Sequence, residues 1–126
     1  MAEMMTAADI HDFGVEVVFG FLQRDGWEIV SVNTKVGIDP QIVAKKGGQL
    51  AFIVIRTDVY PYKGSLDAPA RKAMAVHAAR HKAFAYFASV GIANAGGKSE
   101  AEMSIPEKGT GFHIAYTGLE RLSTQH

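Results

Sequence analysis

The segment Leu50–Ile55 is an unbroken run of six apolar residues, and it constrains the fold more than any other feature of the sequence. A strand of this kind is normally covered on both faces, so we expect it in the centre of a sheet. The preceding segment, Lys46-Gly47-Gly48-Gln49, contains two adjacent glycines, which favour a tight hairpin turn. A strand that begins at Ile42 is therefore expected to pair with the central strand.

Two helical segments enclose the predicted strands. The first is predicted over about Ala7–Arg24, where apolar residues recur at helical spacing; Thr6 is its N-cap and Asp25-Gly26 ends it. The second is predicted over about Ala68–Val90, with Asp67 as its N-cap. This second helix is long enough to act as a crossover that returns the chain to the same sheet.

The elements together indicate one α/β domain over residues 1–126. Further strands are predicted over Trp27–Val32 and Phe112–Tyr116, which gives the order αβββαβ, with a mixed central sheet flanked by two helices. Residues 57–65 are expected to form a loop. Residues 1–6 are expected to be an N-terminal tail, 94–111 a mobile loop and 118–126 a polar tail.

Composition excludes several classes of protein. The chain has 13 Lys+Arg and 13 Asp+Glu, so no overall basic field attracts it to nucleic acid or to an anionic membrane. It has 0 cysteines, which excludes a disulfide scaffold and cysteine-based metal sites. No apolar run approaches the roughly 20 residues that span a bilayer, and Met1–Met5 does not begin a signal peptide. The expected location is the cytoplasm, without membrane association.

Three phrases carry a family resemblance by their order and spacing. They are LQRDGWEI at 22–29 with Asn33 following, IVAKKGGQLAFIVIRT at 42–57, and AFAYF at 83–87. With them, the chain resembles, over roughly Phe13 to Tyr116, the YraN family of small bacterial proteins (UPF0102). That family is related to the restriction-endonuclease-like, PD-(D/E)xK superfamily. The resemblance implies a restriction-endonuclease-like αβββαβ core.

The same resemblance implies a nuclease site in which acidic residues bind a divalent metal and a lysine lies beside the attacking water. At the matching positions this chain departs from the pattern. Valine cannot ligate Mg²⁺, glutamine is a weaker ligand than a carboxylate, and arginine cannot act as a base at ordinary pH. The degenerate positions, at which we therefore assign no catalytic residue, are Val15 on the first helix, Gln41 on the second strand, and Val54 and Arg56 on the third.

Arg56 and two nearby aspartates are candidates for binding. Arg56 follows a buried strand, where it could contact an anion or phosphate, or form an ion pair with Asp39 or Asp58. The two aspartates could also rebuild a displaced metal site with Glu16, or could simply form turns.

An aromatic and basic set of residues is the best candidate for nucleic-acid contact. Aromatic rings can stack on bases while cations hold phosphates. The alternative is that the tyrosines cover the core and the cations lie on a solvated helix surface. The set consists of Tyr60, Tyr62, Lys63, Arg71 and Lys72.

His77 and His81 are four residues apart and so share a face of the predicted helix. Such a pair could bind Zn²⁺, but no third ligand is evident. Partly buried histidines, or a pH-sensitive oligomer contact, agree better with the sequence.

Three functional hypotheses follow. The first is a non-catalytic descendant of a nuclease-like domain that binds nucleic acid, a protein partner or a second copy of itself, and needs no cofactor. The second is a Mg²⁺-dependent DNA endonuclease with a rearranged active site. The third is a small-ligand binder that uses the former cleft.

Overall fold

The structure, a computed structural model, describes residues 4–96, 99–104 and 111–123. Its elements confirm an α/β domain with a mixed sheet. The first six run helix, three strands, helix and strand, but the fourth strand is Phe84–Asn94, and the predicted strand Phe112–Tyr116 is a fifth. The helices are α1 (Ala7–Arg24), α2 (Ala68–Arg80) and α3 (Glu100–Met103). The strands are β1 (Glu28–Val32), β2 (Ile42–Lys46), β3 (Gln49–Val59), β4 (Phe84–Asn94), β5 (Phe112–Ala115) and β6 (Leu119–Leu122).

The sheet has the strand order β1-β2-β3-β4-β5, and β6 also pairs with β4. Strands β1, β2 and β3 are antiparallel neighbours, whereas β3 and β4 are parallel and are joined through α2. Both β5 and β6 run antiparallel to β4, β5 beside its last residues and β6 beside its first. The apolar run Leu50–Ile55 lies in β3, at the centre, as predicted.

Helix α1 covers one face of the sheet. Its N-terminus is a capping box, in which Thr6 and Asp9 each accept a hydrogen bond from the backbone N–H of the other. Aspartate here takes the position that glutamate usually occupies in this motif. Its apolar side, which includes Val15, Val18 and Leu22, packs against side chains from β2, β3 and β4. Both ends of this helix are as predicted.

Helix α2 covers the opposite face, where Met74, Ala75 and Ala78 pack against β3 and β4. Asp67 accepts a hydrogen bond from the backbone N–H of Ala70 at 2.8 Å, and Pro69 lies in the first turn, where no backbone donor is needed. The sheet therefore lies between two helices, with a separate apolar cluster on each side. No helix among the described residues has the length and apolar character needed to cross a membrane.

The predicted helix over Ala68–Val90 is wrong in its second half. The helix ends at Arg80, and the chain from Phe84 onward is the long strand β4. The end is a Schellman motif: Lys82 adopts a left-handed φ of 55°, and the N–H of Ala83 bonds to the carbonyl of Ala78 at 2.9 Å. Glycine usually takes the left-handed position, so a lysine there gives no sequence signal for the helix end.

Three further expectations need correction. The loop predicted over residues 57–65 begins later, because Thr57–Val59 still belong to β3. The predicted polar tail 118–126 contains β6, whose Leu122 is buried in the core, while residues 124–126 lie outside the described part of the chain. The predicted mobile loop 94–111 contains the end of β4 and the short helix α3. Residues 97–98 and 105–110 of this loop lie outside the described part of the chain.

Replacing Gly14 with alanine is expected to lower the free energy of unfolding by about 2 kcal/mol. A methyl group at this position would lie 1.6 Å from Oγ1 and 2.8 Å from Cβ of Thr57, so α1 would have to move away from β3. The matched control is Gly20→Ala on the same helix, where the nearest atom, Nη2 of Arg24, would lie at 3.5 Å. This control should gain roughly 0.5–1 kcal/mol from helix propensity. Urea unfolding measures both, and equal effects would contradict the close contact.

Candidate functional site at the end of the central strand

Gln41 lies just before β2 and is the most buried polar side chain of the site, with 1% of its surface exposed. Its Nε2 donates to the carbonyl of Ile38 at 3.0 Å and to Oδ1 of Asp39 at 2.8 Å. Its Oε1 accepts from the backbone N–H of Ile55 at 2.6 Å. The amide therefore takes the place that a backbone carbonyl of a longer β2 would have beside β3.

Arg56 forms a two-pronged ion pair with Asp39. Its Nη1 lies 2.8 Å from Oδ1 and its Nη2 lies 2.9 Å from Oδ2. Nη1 also donates to the carbonyl of Ile55 at 3.2 Å. Of the alternatives left open by the sequence, the ion pair with Asp39 is the one that the structure contains. The contact is part-buried and its geometry fits the planar guanidinium group.

The electrostatics of the pair favour its charged form. The hydrogen bonds from Arg56 hold the pKa of Asp39 below its usual value, and the Gln41 amide and the nearby His11 act in the same direction against the effect of burial. In return, the hydrogen bonds to Asp39 raise the pKa of Arg56. The pair is therefore ionised, and mutually neutralised, throughout the ordinary pH range.

The other two degenerate positions are part of the apolar cores. Val15 is buried in the cluster beneath α1, and Val54 is buried in the cluster beneath α2. Glu16, the neighbour of Val15, is exposed on the outer side of α1. The positions at which the family resemblance places acids thus hold side chains that pack rather than ligate.

Asp58 is not part of the cluster that Asp39 forms with Arg56 and Gln41. It is exposed, and its Oδ1 accepts from the backbone N–H of Val59 at 2.8 Å. Within residues 4–96, 99–104 and 111–123, no group of three His, Cys, Asp or Glu side chains is placed to hold a metal ion. The displaced metal site considered for Glu16, Asp39 and Asp58 is therefore not assembled in this part of the chain.

The structure separates the aromatic and basic set into three places. Tyr60, Tyr62 and Lys63 line a largely apolar groove of about 320 Å³, together with residues of β4, α3 and β5. Tyr62 is 68% exposed, so the expectation that both tyrosines cover the core does not hold for it. Arg71 and Lys72, which the sequence groups with these three residues, do not line the groove.

Arg71 is instead bound to neighbouring elements of the fold, with 35% of its side chain exposed. Its Nε donates to the carbonyl of Leu66 at 2.9 Å, its Nη1 bonds to Oε2 of Glu120 at 2.5 Å, and its guanidinium lies 5.2 Å from the ring centre of Phe87. Lys72 lies on a shallow groove along the outer side of α2. Arg71 thus fastens β6 to α2, and its role is structural.

His77 and His81 are exposed, so the expectation of partial burial is wrong. Their ring centres lie 4.8 Å apart, and both rings contact Phe52, at 5.3 Å and 5.6 Å. The two rings form an aromatic cluster at the border between α2 and the sheet.

Two polar groups near the site were missed by sequence reasoning. Nε2 of His11 and Oγ1 of Thr57 are buried without a hydrogen-bond partner among the described residues. His11 lies close enough to Asp39 for its charge to lower the pKa of that carboxyl group. Nothing in the sequence connects residue 11 with residue 39, because only the packing of α1 brings them together.

The contribution of the ion pair to stability should depend on pH. The pKa of Asp39 is lower in the folded protein than in the unfolded chain, where it is about 3.9. Its stabilising effect is therefore complete above that value and is lost as the pH falls through the lower, folded pKa. We expect wild type to lose more stability than Asp39→Asn between about pH 5 and pH 2 in urea unfolding. Parallel curves for the two proteins would contradict this.

The fold and the site define an α/β domain with a neutral, internally bonded polar cluster at the end of its central strand. The chain belongs to a family described as a domain of unknown function, DUF8840, whose family model matches residues 8–122. This match begins in α1 and ends in β6, so it covers the whole sheet. Comparison with curated proteins found no match, and neither did comparison with solved structures.

Proposed function

We propose that this protein is a non-catalytic domain with a restriction-endonuclease-like core, and that it acts by binding. The observation that carries the proposal is the ion pair between Arg56 and Asp39, which is backed by the buried amide of Gln41. These are the positions at which the YraN-like resemblance places the metal and the catalytic lysine. The element order αβββαβ and the mixed sheet support this relationship.

The chemistry of the cluster opposes metal-dependent hydrolysis. A divalent ion needs several hard oxygen ligands, and the carboxylate of Asp39 already holds a guanidinium at both of its oxygens. Binding Mg²⁺ there would require Arg56 to leave, which would place a charged group without a partner beside buried strands. Arginine also remains protonated, so it cannot remove a proton from water.

A nuclease assay in the presence of Mg²⁺ or Mn²⁺ tests the absence of catalysis. We expect no cutting of plasmid or branched DNA by the purified protein, and no rise of its melting temperature with either ion. Metal-dependent cutting that is abolished by Asp39→Ala and by Asp58→Ala would instead establish the alternative, an endonuclease with a rearranged site. Cutting that survives both substitutions would point to a contaminating nuclease. In that case we expect no cutting by a preparation from which the contaminant has been removed.

Nucleic acid is the first partner to test, because the groove beside Tyr62 combines exposed aromatic surface with the cation of Lys63. A labelled single strand in EDTA is the suitable probe, since stacking needs unpaired bases. We expect Tyr62→Ala and Lys63→Ala each to weaken binding several-fold, and affinity to fall as salt rises. The matched control is Lys45→Ala, which removes one exposed charge on β2, outside the groove. Equal losses in all three variants would rule out this surface.

A further inference from the structure

The C-terminal end of α1 borders a cavity of about 330 Å³ that is separate from the candidate site. It lies between the last turn of α1 and the segment that joins β5 to β6, and none of its residues lines the groove beside Tyr62. Cavities that bind small molecules begin at roughly 300 Å³, so the space suits a ligand of one or two rings. The side chains that line it are those of Phe21, Leu22, Arg24, Asp25, Tyr116 and Leu119.

Most of the lining is aromatic or aliphatic. The rings of Phe21 and Tyr116 contact each other, with centres 4.9 Å apart and planes inclined by 40°. Phe21 is 40% exposed, so part of its ring is open to solvent. Leu22 and Leu119 belong to the apolar cluster under α1. A surface of this kind favours a flat ring, which can lie against aromatic side chains and cover apolar area.

Arg24 supplies a cation whose position is fixed by two contacts. Its Nε donates to the carbonyl of Gly20 at 3.2 Å, and its Cζ lies 4.6 Å from the centre of the Phe21 ring. Within the described part of the chain its Nη groups make no hydrogen bond and no ion pair. A planar guanidinium group with free Nη groups binds a carboxylate through two parallel hydrogen bonds.

Tyr116 supplies a second donor beside the same ring. Burial raises the pKa of its hydroxyl, and the negative charge of Asp25 acts in the same direction, so the hydroxyl keeps its proton and can donate it in a hydrogen bond. Asp25 itself is already paired, because its Oδ2 lies 3.1 Å from Nζ of Lys46. This pairing reduces the repulsion that an anionic ligand would meet in the cavity.

We propose that this cavity binds a small molecule that consists of a flat ring and a single carboxylate group. The ring lies against Phe21 and Tyr116, and the carboxylate accepts hydrogen bonds from the guanidinium of Arg24 and the hydroxyl of Tyr116. One free cation next to a paired acid matches one negative charge, so a phosphate ester with two charges is a poorer ligand. The nucleic-acid proposal uses a different surface, so the two proposals can fail separately.

A nuclear magnetic resonance titration of the full chain with 2-naphthoate tests the proposal, because this molecule has two fused rings and one carboxylate. We expect saturable shifts of the backbone amides of Phe21, Leu22 and Leu119, with a Kd of about 1 mM or below. Arg24→Ala should weaken binding at least about fivefold, and Arg24→Lys, which keeps the charge without the planar fork, should lie between the two. The matched control is Arg80→Ala, which removes an exposed arginine of α2 on the opposite face of the sheet and should leave the Kd unchanged.

A neutral analogue separates the contribution of the carboxylate from that of the ring. 2-Naphthamide has the same rings without the charge, so wild type should prefer 2-naphthoate by at least about fivefold. Arg24→Ala should bind the two molecules equally, and Tyr116→Phe should show a reduced preference. Adenosine monophosphate, a dianion, should bind more weakly than 2-naphthoate. Circular dichroism of each variant shows that it folds.

The titrations also define the results that overturn the proposal. One is the absence of saturable shifts with 2-naphthoate, and another is a set of shifts centred on the groove beside Tyr62. A preference for 2-naphthoate that persists in folded Arg24→Ala would remove the role of the guanidinium. Tighter binding of adenosine monophosphate would contradict the assignment to a carboxylate.

Discussion

Replacing Gly64 with alanine is expected to lower the free energy of unfolding by about 3 kcal/mol, a value at the upper end for overpacking. A methyl group at this position would lie 1.9 Å from the backbone oxygen of Arg56 and 2.1 Å from its carbonyl carbon. Backbone atoms in the central strand cannot rotate away as a side chain can. The loop after β3 would have to lift from the sheet.

Lifting the loop would also break two hydrogen bonds. The N–H of Gly64 donates to the carbonyl of Val90 at 3.1 Å, and the hydroxyl of Ser89 donates to the carbonyl of Gly64 at 2.6 Å. Urea unfolding at pH 7 gives the size of the loss. Ser65→Ala, at the exposed neighbouring residue, is the matched control and should change stability by less than about 0.5 kcal/mol. Equal stability of Gly64→Ala and wild type would mean that the loop does not rest on β3.

Replacing Gln41 with leucine is expected to lower the free energy of unfolding by about 3 kcal/mol, although the two side chains are similar in size. The leucine would leave the buried N–H of Ile55 without an acceptor and would remove the amide donor to Asp39. An unsatisfied buried donor costs more than the net value of the hydrogen bond it loses. Thermal unfolding and hydrogen exchange at Ile55 measure the global and the local effect.

The matched control for this change is Gln49→Leu. Gln49 also donates through Nε2 to backbone carbonyls, those of Leu50 and Lys82, but it is only half-buried, so water can replace it. We expect Gln49→Leu to lower the free energy of unfolding by roughly 1 kcal/mol. If the two variants are equally stable, the cluster at the end of β3 contributes nothing beyond an ordinary surface hydrogen bond.

The two main helix ends explain what the sequence could and could not reveal. Both α1 and α2 end in a Schellman motif, with Gly26 at the left-handed position in the first and Lys82 in the second. Glycine there is a recognisable signal, and the end of α1 was predicted correctly. Lysine is not such a signal, and the alanines that follow α2 suit a helix by propensity, so the sequence predicts that the helix continues through the segment that forms β4. Burial of β4 on both faces, a tertiary effect, overrides that local preference.

The candidate site was predictable in its residues but not in its bonds. Comparison with a nuclease pattern picks out Gln41 and Arg56, and the sequence leaves both Asp39 and Asp58 open as partners of Arg56. The bond from the Gln41 side chain to the backbone of Ile55 depends on where β2 begins, which no residue pattern specifies. The separation of Arg71 from Tyr62 likewise follows from β6, an element that the polar C-terminal sequence concealed.

The position of the sheet between two apolar clusters has a consequence for how this protein tolerates change. The cluster under α1 and the cluster under α2 share no side chain, because the backbone of the strands lies between them. Energetic effects of substitutions in one cluster should therefore add to those in the other instead of coupling. Each side of the molecule is free to accumulate sequence drift on its own, so that relatives could differ widely on one face while they retain the other.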